Sequence, residues 1–393
     1  MCTGASNNGS QGYNPDNSRF DLLPRNKLGK NSIVIGACNE VWDYTGPSSV
    51  SQASFTSWGP TDDWRIKPDI SAVGVNSYST REDSDTDYGT GQGSSYASPV
   101  VAGGLGLLQQ HYHNLNGIYM KAATAKGLIL STTDEAGAHD GPDFSNGWGL
   151  FNAQKAAKVI SNDGTTAMIS ELSLLQNESY SIDITTDGTQ PLTVAISWTD
   201  PSAEPTNSGI HNDPTPMLVN DLDLRVLSQS TEYFPWMMEP NAAFDNYNTP
   251  ATKGDNYRDN IEVIFEENIE AGVHTVQISH KGDLLFGSQD FSLIINGIVL
   301  EPTSVSEINL LNSEIVVYPN PIDDVLKIDI QSPPSKLLKI DVLDLTGRTQ
   351  LHAQYPYNNT LELEVSTLSS GIYFLNIRNE ENALIGVEKI VIN

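Results

Sequence analysis

Two hydrophobic periodicities divide the chain. Up to about residue 160, apolar positions fall at helical spacing in Val101, Leu105, Leu108 and Tyr112, then in Ala125, Leu128 and Ile129, then in Ala153, Ala156, Ala157 and Ile160. An unbroken apolar run, Ser32-Ile33-Val34-Ile35-Gly36-Ala37, precedes them and predicts a buried strand. Strands alternating with helices predict a parallel α/β sheet. From about Thr166 the period becomes two, as in Tyr180, Ile182, Ile184; Leu192, Val194, Ile196, Trp198; Leu222, Leu224, Val226; Ile261, Val263, Phe265; and Phe291, Leu293, Ile295. Such strands, separated by Asn, Asp, Gly and Pro clusters, predict an antiparallel β-sandwich or jelly roll. Glu301 to Ser313 carries no such pattern and reads as a linker, after which alternation resumes at Leu326, Ile328, Ile330 and Ile340, Val342, a second small β-sandwich. The expected organisation is therefore multidomain: a partial α/β domain (1–162), a β jelly roll (163–300), a linker (301–314) and a C-terminal β-sandwich (315–393).

Composition narrows the function classes. Of 393 residues, 21 are Lys or Arg and 49 Asp or Glu, giving a net charge of −28 that repels phosphate backbones and anionic membranes. Nucleic-acid binding is not expected. The longest apolar stretch, Pro99 to Leu108, is interrupted by glycine and far short of the ~20 residues a membrane helix needs, so no transmembrane segment is expected. Met1-Cys2-Thr3-Gly4 has neither a basic stretch nor an apolar core, so no signal peptide is expected there either. Two cysteines, Cys2 and Cys38, make no disulfide framework.

The chemistry concentrates in Gly93-Ser94-Ser95-Tyr96-Ala97-Ser98-Pro99-Val100-Val101-Ala102-Gly103, which runs into the first helical stripe. A serine at a helix N-terminus sits among free backbone N–H groups that stabilise an oxyanion. The segment resembles the nucleophile signature of the subtilisin-like serine peptidases, Gly-Thr-Ser-Met-Ala-Ser-Pro-x-Val-Ala-Gly, with Ser94 and Tyr96 in place of Thr and Met. The resemblance extends to Phe55-Thr56-Ser57-Trp58-Gly59-Pro60, to Lys67-Pro68-Asp69-Ile70, to the strand ending in Gly36-Ala37, and to Ala5-Ser6-Asn7-Asn8-Gly9. It implies Ser95 as nucleophile and Asn7 as the side-chain donor to the tetrahedral oxyanion.

The family's triad runs Asp, His, Ser along the chain, and only six residues precede Asn7 here. None of the seven histidines opens a His-Gly-Thr motif, and no Asp-Thr-Gly or Asp-Ser-Gly exists. His139 beside Asp140 offers a substitute dyad, but in a glycine-rich turn region it reads as an exposed loop pair. A serine without its base is a poor nucleophile, so the chain as it stands is expected to be inactive.

Downstream, Leu192 to Asp200, Leu218-Val219-Asn220-Asp221-Leu222-Asp223-Leu224 and Asn260-Ile261-Glu262 resemble the C-terminal jelly roll of bacterial subtilases, related in plan to the P-domain of proprotein convertases. Asp221 and Asp223, at i and i+2, face one side of a strand and are candidate ligands for structural Ca2+. Val317-Tyr318-Pro319-Asn320-Pro321, Asp344-Leu345-Thr346-Gly347-Arg348, Ser370-Gly371-Ile372-Tyr373-Phe374 and the terminal Lys389-Ile390-Val391 resemble the C-terminal sorting domain of the type IX secretion system. Together these imply a secreted or cell-surface serine endopeptidase acting on protein or peptide substrates, exported through the outer membrane by the type IX machinery. The alternative is a catalytically inactive secreted protein whose β-domains bind a surface or partner; a carbohydrate-binding variant would use Tyr233, Phe234 and Trp236 as a platform.

Overall fold

The computed structural model describes residues 1–10, 20–204, 213–228, 231–240, 248–299, 315–330, 337–344, 349–356, 360–379 and 384–393. The expected linker 301–314, His211, and the Leu345–Arg348 part of the second sorting motif lie outside them. The chain forms two compact units, Met1–Leu300 and Glu301–Asn393.

In the first unit, β1 (Cys2–Gly4), β2 (Ile33–Cys38) and β3 (Ile70–Val73) form a parallel sheet in the order β1-β2-β3. All six residues of β2 are buried, as its unbroken apolar run requires of a strand covered on both faces. A hairpin, β4 (Ser77–Thr80) with β5 (Tyr88–Gly91), leads into α1 (Ser94–Asn116), followed by α2 (Ala122–Leu130) and α3 (Ala153–Ser161). Helix α1 ends at Gly117, whose left-handed backbone (φ 72°) returns its N–H to the His113 carbonyl. Val101, Leu108 and Tyr112 of its periodic stripe are buried against the sheet.

The strands that follow are β6 (Ala167–Leu175), β7 (Tyr180–Thr186), β8 (Leu192–Trp198), β9 (Asp221–Leu227), β10 (Glu232–Tyr233), β11 (Trp236–Met237), β12 (Thr252–Lys253), β13 (Ile261–Glu266), β14 (Gly272–Lys281) and β15 (Ser288–Asn296). They build two four-stranded antiparallel sheets, β13-β8-β15-β6 and β10-β9-β14-β7, with β11 and β12 paired separately. Val194, Ile196, Trp198, Leu293 and Ile295 of the first sheet share one core with Leu222, Leu224, Val226, Val276 and Ile278 of the second. The intervening residues of the first sheet are not solvated. Ala195, Ile261, Val263 and Ile294 join the core of α1, α2 and the parallel sheet, so this sheet is buried on both faces. That explains why Val194-Ala195-Ile196 and Leu293-Ile294-Ile295 are apolar without a break.

In the second unit, β16 (Ile315–Tyr318), β17 (Val325–Ile330) and β20 (Thr360–Glu364) form one antiparallel sheet. Strands β18 (Leu337–Leu343), β19 (Thr349–Pro356), β21 (Gly371–Arg378) and β22 (Leu384–Ile392) form another, in the order β19-β18-β21-β22. Leu326, Ile328 and Ile330 share a core with Leu338, Ile340, Val342, Leu375 and Ile377, so this unit has its own apolar interior. Among the described residues, no helix is long and apolar enough to cross a membrane.

Candidate active site

Ser95 is the second residue of α1, and it is exposed. Its backbone N–H precedes the first intrahelical hydrogen bond and is one of the helix's free donors. The chain enters the helix through Gly93, whose φ of +149° no side chain would adopt without strain. A Cβ there would also stand 3.2 Å from Asn7 Nδ2, so glycine lets the asparagine reach the helix start.

Asn7 is held by the same helix. The Ser94 N–H donates to Asn7 Oδ1 at 2.9 Å, which turns the amide so that Nδ2 is the group left to donate beside Ser95. Ser94 Oγ in turn accepts from the Ser6 N–H at 3.0 Å. Gly4 is obligatory for this contact, because a Cβ on it would come within 2.6 Å of the Ser94 carbonyl oxygen. The turn from β1 to Asn7 carries Ser6 at φ +93°, a region that suits glycine.

The same turn is tied to the 53–59 loop: Asn8 N–H donates to Ser57 Oγ (3.0 Å), Gly9 N–H to the Phe55 carbonyl (2.8 Å) and Ser57 N–H to the Ser6 carbonyl (3.1 Å). The 67–70 block supports the sheet beneath. Asp69 Oδ2 accepts from Lys67 Nζ at 2.6 Å and from the Val34 N–H at 2.7 Å, in a pair almost wholly buried. Lys126 Nζ stands 3.8 Å from Asp69 Oδ1 and donates to Asn260 Oδ1 at 2.8 Å, joining α2 to the segment before β13. Burial drives the Lys126 ammonium down to about 8. All these sequence blocks therefore converge on one helix start and its foundation.

Among the described residues, no histidine is hydrogen-bonded to Ser95. His111 pairs with Ser161 (2.8 Å), His274 with Thr186 (3.0 Å), His280 with the Asn177 N–H (2.9 Å) and His352 with Asp341 (2.6 Å). His113 stacks on Tyr119. His139 and Asp140 are exposed, at a depression they share with Trp236, Pro250 and Ala251. Of the three aromatics named for a carbohydrate platform, Phe234 lies under Arg225 at 4.6 Å, Trp236 under Lys253 at 5.1 Å, and Tyr233 packs against the core. Cys2 and Cys38 are free thiols.

The metal candidates fall on β9. Leu222, Leu224 and Val226 point into the core, leaving Asp221, Asp223 and Arg225 on the opposite face, as their spacing predicts. Asp255 and Glu262 join Asp223 there, from residues that the local pattern did not connect to it.

Compared with known proteins, residues 2–149 match the subtilase family and residues 316–393 the secretion system C-terminal sorting domain. The minor extracellular protease Vpr of Bacillus subtilis is 39% identical over 117 residues, 28% of this chain and 14% of that protein. The C5a peptidase of Streptococcus pyogenes is 37% identical over 95 residues, 24% of this chain and 8% of its own. The chain thus spans about a seventh or less of these two relatives. The solved patellamide maturation protease PatA is 20% identical, with a TM-score of 0.32 over 41% of this chain and 51% of that one.

Proposed function

We propose, from a subtilase segment at residues 2–149 and a sorting domain at residues 316–393, that the chain is the nucleophile-bearing part of an exported serine endopeptidase. The observation that carries this reading is the Ser94 N–H bond to Asn7 Oδ1. Through it one helix start presents three groups together: the Ser95 hydroxyl, the Ser95 N–H and the Asn7 amide donor. That is the equipment for acyl transfer, in which Ser95 Oγ attacks the scissile carbonyl and two N–H donors take up the developing oxyanion. Water then releases the acyl group.

The general base and its orienting acid come, on this reading, from polypeptide beyond the present residues. Two features support a missing neighbour: among the described residues, β1 is paired along one edge only, and α1 exposes Val100 (46%) and Leu107 (70%). The two sheets of residues 167–296 we read as a jelly roll of the kind that accompanies such peptidases, and the two sheets of the last unit as a β-sandwich. Substrates are proteins or peptides, and export uses the type IX machinery through residues 315–393.

The test compares two proteins. The 393-residue chain should hydrolyse casein no faster than its Ser95→Ala variant and should not react with a fluorophosphonate. A longer parent containing an acid and a histidine base should be labelled at Ser95 and inactivated by Ser95→Ala. In that parent Asn7→Ala should cost ~10²–10³ in turnover, the loss measured for the corresponding donor in a subtilisin. Ser95-dependent hydrolysis by the 393-residue chain itself would point instead to a base within it, with His139 and His211 to be examined. A parent indifferent to Ser95→Ala would favour a secreted binding protein.

A further inference from the structure

The hairpin of β4 and β5 grows directly out of the nucleophile's turn. Its ends close on each other where the Gly93 N–H donates to the Gly74 carbonyl at 2.8 Å, so residues 75–92 form an excursion that returns the chain to the start of α1. The register, Tyr78 opposite Thr90 and Thr80 opposite Tyr88, gives this ribbon two unlike faces. One is bared by glycine: a Cβ on Gly91 would stand 2.1 Å from the Tyr96 ring, and one on Gly89 would stand 2.2 Å from Arg81 Nε. Arg81 and Tyr96, the residue after Ser95, therefore occupy that face, and Arg81 Nη2 donates to the Thr90 carbonyl at 2.7 Å.

The other face carries Tyr78 and Tyr88. They are diagonal neighbours across the ribbon, with ring centroids 5.9 Å apart and planes 19° from parallel. The stack ties the strands together, yet Tyr78 stays 72% exposed and Tyr88 53%. Two large rings side by side in water form a patch, unlike the single exposed apolar residue that any surface carries. Beyond them the turn holds Glu82, Asp83, Asp85 and Asp87. Arg81, the one cation of residues 75–92, is engaged by backbone on the glycine face, and among the described residues none of these carboxylates forms an ion pair. Asp87 Oδ2 is buried without a hydrogen-bond partner.

We propose that this hairpin is a docking arm for a basic, extended stretch of polypeptide, whose arginine or lysine side chains lie over Tyr78 and Tyr88 within reach of the carboxylates at the turn. Charge complementarity and exposed rings choose the occupant together. A cation over a tyrosine face is attracted by the ring's quadrupole, and the unpaired carboxylates raise its local concentration. Arginine suits the site better than lysine, because a planar guanidinium also stacks on the ring and is more weakly hydrated. An acidic chain would be repelled. The arm leads into Ser95, so its occupant on the peptidase reading is a substrate chain with basic residues flanking the scissile bond. Only that last step rests on the peptidase reading.

Fluorescence anisotropy with the 393-residue chain tests the arm without requiring turnover. The probes are a fluorescein-labelled extended peptide containing arginines and the same peptide with glutamine in their place. Wild type should bind the arginine peptide at least about fivefold more tightly. Tyr78→Ala combined with Tyr88→Ala should lose at least about fivefold in affinity for it, whereas Tyr78→Phe with Tyr88→Phe, which keeps both rings, should stay within about twofold of wild type. Glu82→Gln with Asp83→Asn should weaken binding, and Glu362→Gln with Glu364→Gln, an equal change of charge in the second unit, should not. The proposal is overturned if the two peptides bind alike, if the double alanine variant binds as wild type does, or if the double phenylalanine variant loses as much as the double alanine one. It is overturned equally if the second-unit pair weakens binding as much as the hairpin pair, because the field of the whole chain would then be the cause. Since the readout is binding, failure of a longer parent to be labelled at Ser95 would defeat the peptidase reading and leave the arm standing. Unchanged circular dichroism of each variant separates loss of the arm from loss of the fold.

Discussion

Glu135 shows what burial does to a single side chain in this molecule. Partial burial raises its carboxyl to about 7, with Asp143 and Asp140 adding to the effect, although the Gly141 and Ala136 N–H groups both donate to it and pull the other way. The sign follows from linkage. In the unfolded chain the group ionises near its ordinary value of 4.5, so the folded state holds the proton more tightly. Its contribution is fully present below about 4.5 and is lost as the pH rises towards 7. Glu135→Gln should therefore gain stability relative to wild type across that window and level off above it. After discounting for partial exposure the gain should be roughly 1–2 kcal/mol, read from urea unfolding at several pH values. A difference that does not change with pH would show that Glu135 titrates normally. Ser6 makes a complementary point, since its φ of +93° is imposed by the contacts of its own N–H and carbonyl with Ser94 and Ser57 rather than by any preference of serine.

Helix α2 governs how the α/β segment meets the first β-sheet. It lies on β8 and β15, and Gly127 is the point of closest approach: a Cβ there would be 2.8 Å from Ile294 Cδ1 and 3.0 Å from Ser197 Cβ. Glycine inside a helix costs ~1 kcal/mol relative to alanine, and here the cost is offset by a helix that packs flush on the sheet. Gly127→Val should destabilise the first unit by about 1–3 kcal/mol through overpacking, despite its better helix propensity. Thermal unfolding checks this, and a melting temperature at or above that of wild type would mean the interface has slack. The polar seam alongside is equally specific: Lys126 reaches Asp69 and Asn260, Ile66 N–H donates to Asp259, and Arg258 Nη1 donates to the Asp63 carbonyl at 2.6 Å. Burial raises Asp259 to about 6 despite those donors.

At the level of the whole chain, the two units have separate cores, one of them entirely within residues 315–393. The second unit carries the secretion sorting domain, which marks the protein for export to the cell surface or medium. Removing residues 315–393 should leave the unfolding transition of the first unit in place, because none of its core residues is lost. In a type IX secreting host the longer parent, once shortened by residues 315–393, should stay in the periplasm. Continued export would contradict the sorting assignment, and collapse of the first transition would contradict the independence of the cores. The net charge of −28 opposes association with polyanionic surfaces.

Local order was legible wherever one element's own residues sufficed. The 3.6 period of Val101, Leu105, Leu108 and Tyr112 marks α1, and the alternation of Leu222, Leu224 and Val226 marks β9 and places Asp221 and Asp223 on its other face. Ser95 and Asn7 are singled out by the resemblance of their short segments to a known motif, and the fold brings both segments to the start of α1. Pairings between distant residues were not legible. That Ser94 orients Asn7, that Gly4 must be bare to let it, that α2 buries the outer face of a sheet expected to alternate, and that Glu262 and Asp255 complete the cluster begun by Asp223 all depend on contacts across tens of residues. Periodicity records which face of an element is apolar, but it carries no information on what lies against that face. Only the packed chain decides the partner, because burial and hydrogen-bond satisfaction are settled by surfaces brought together in space.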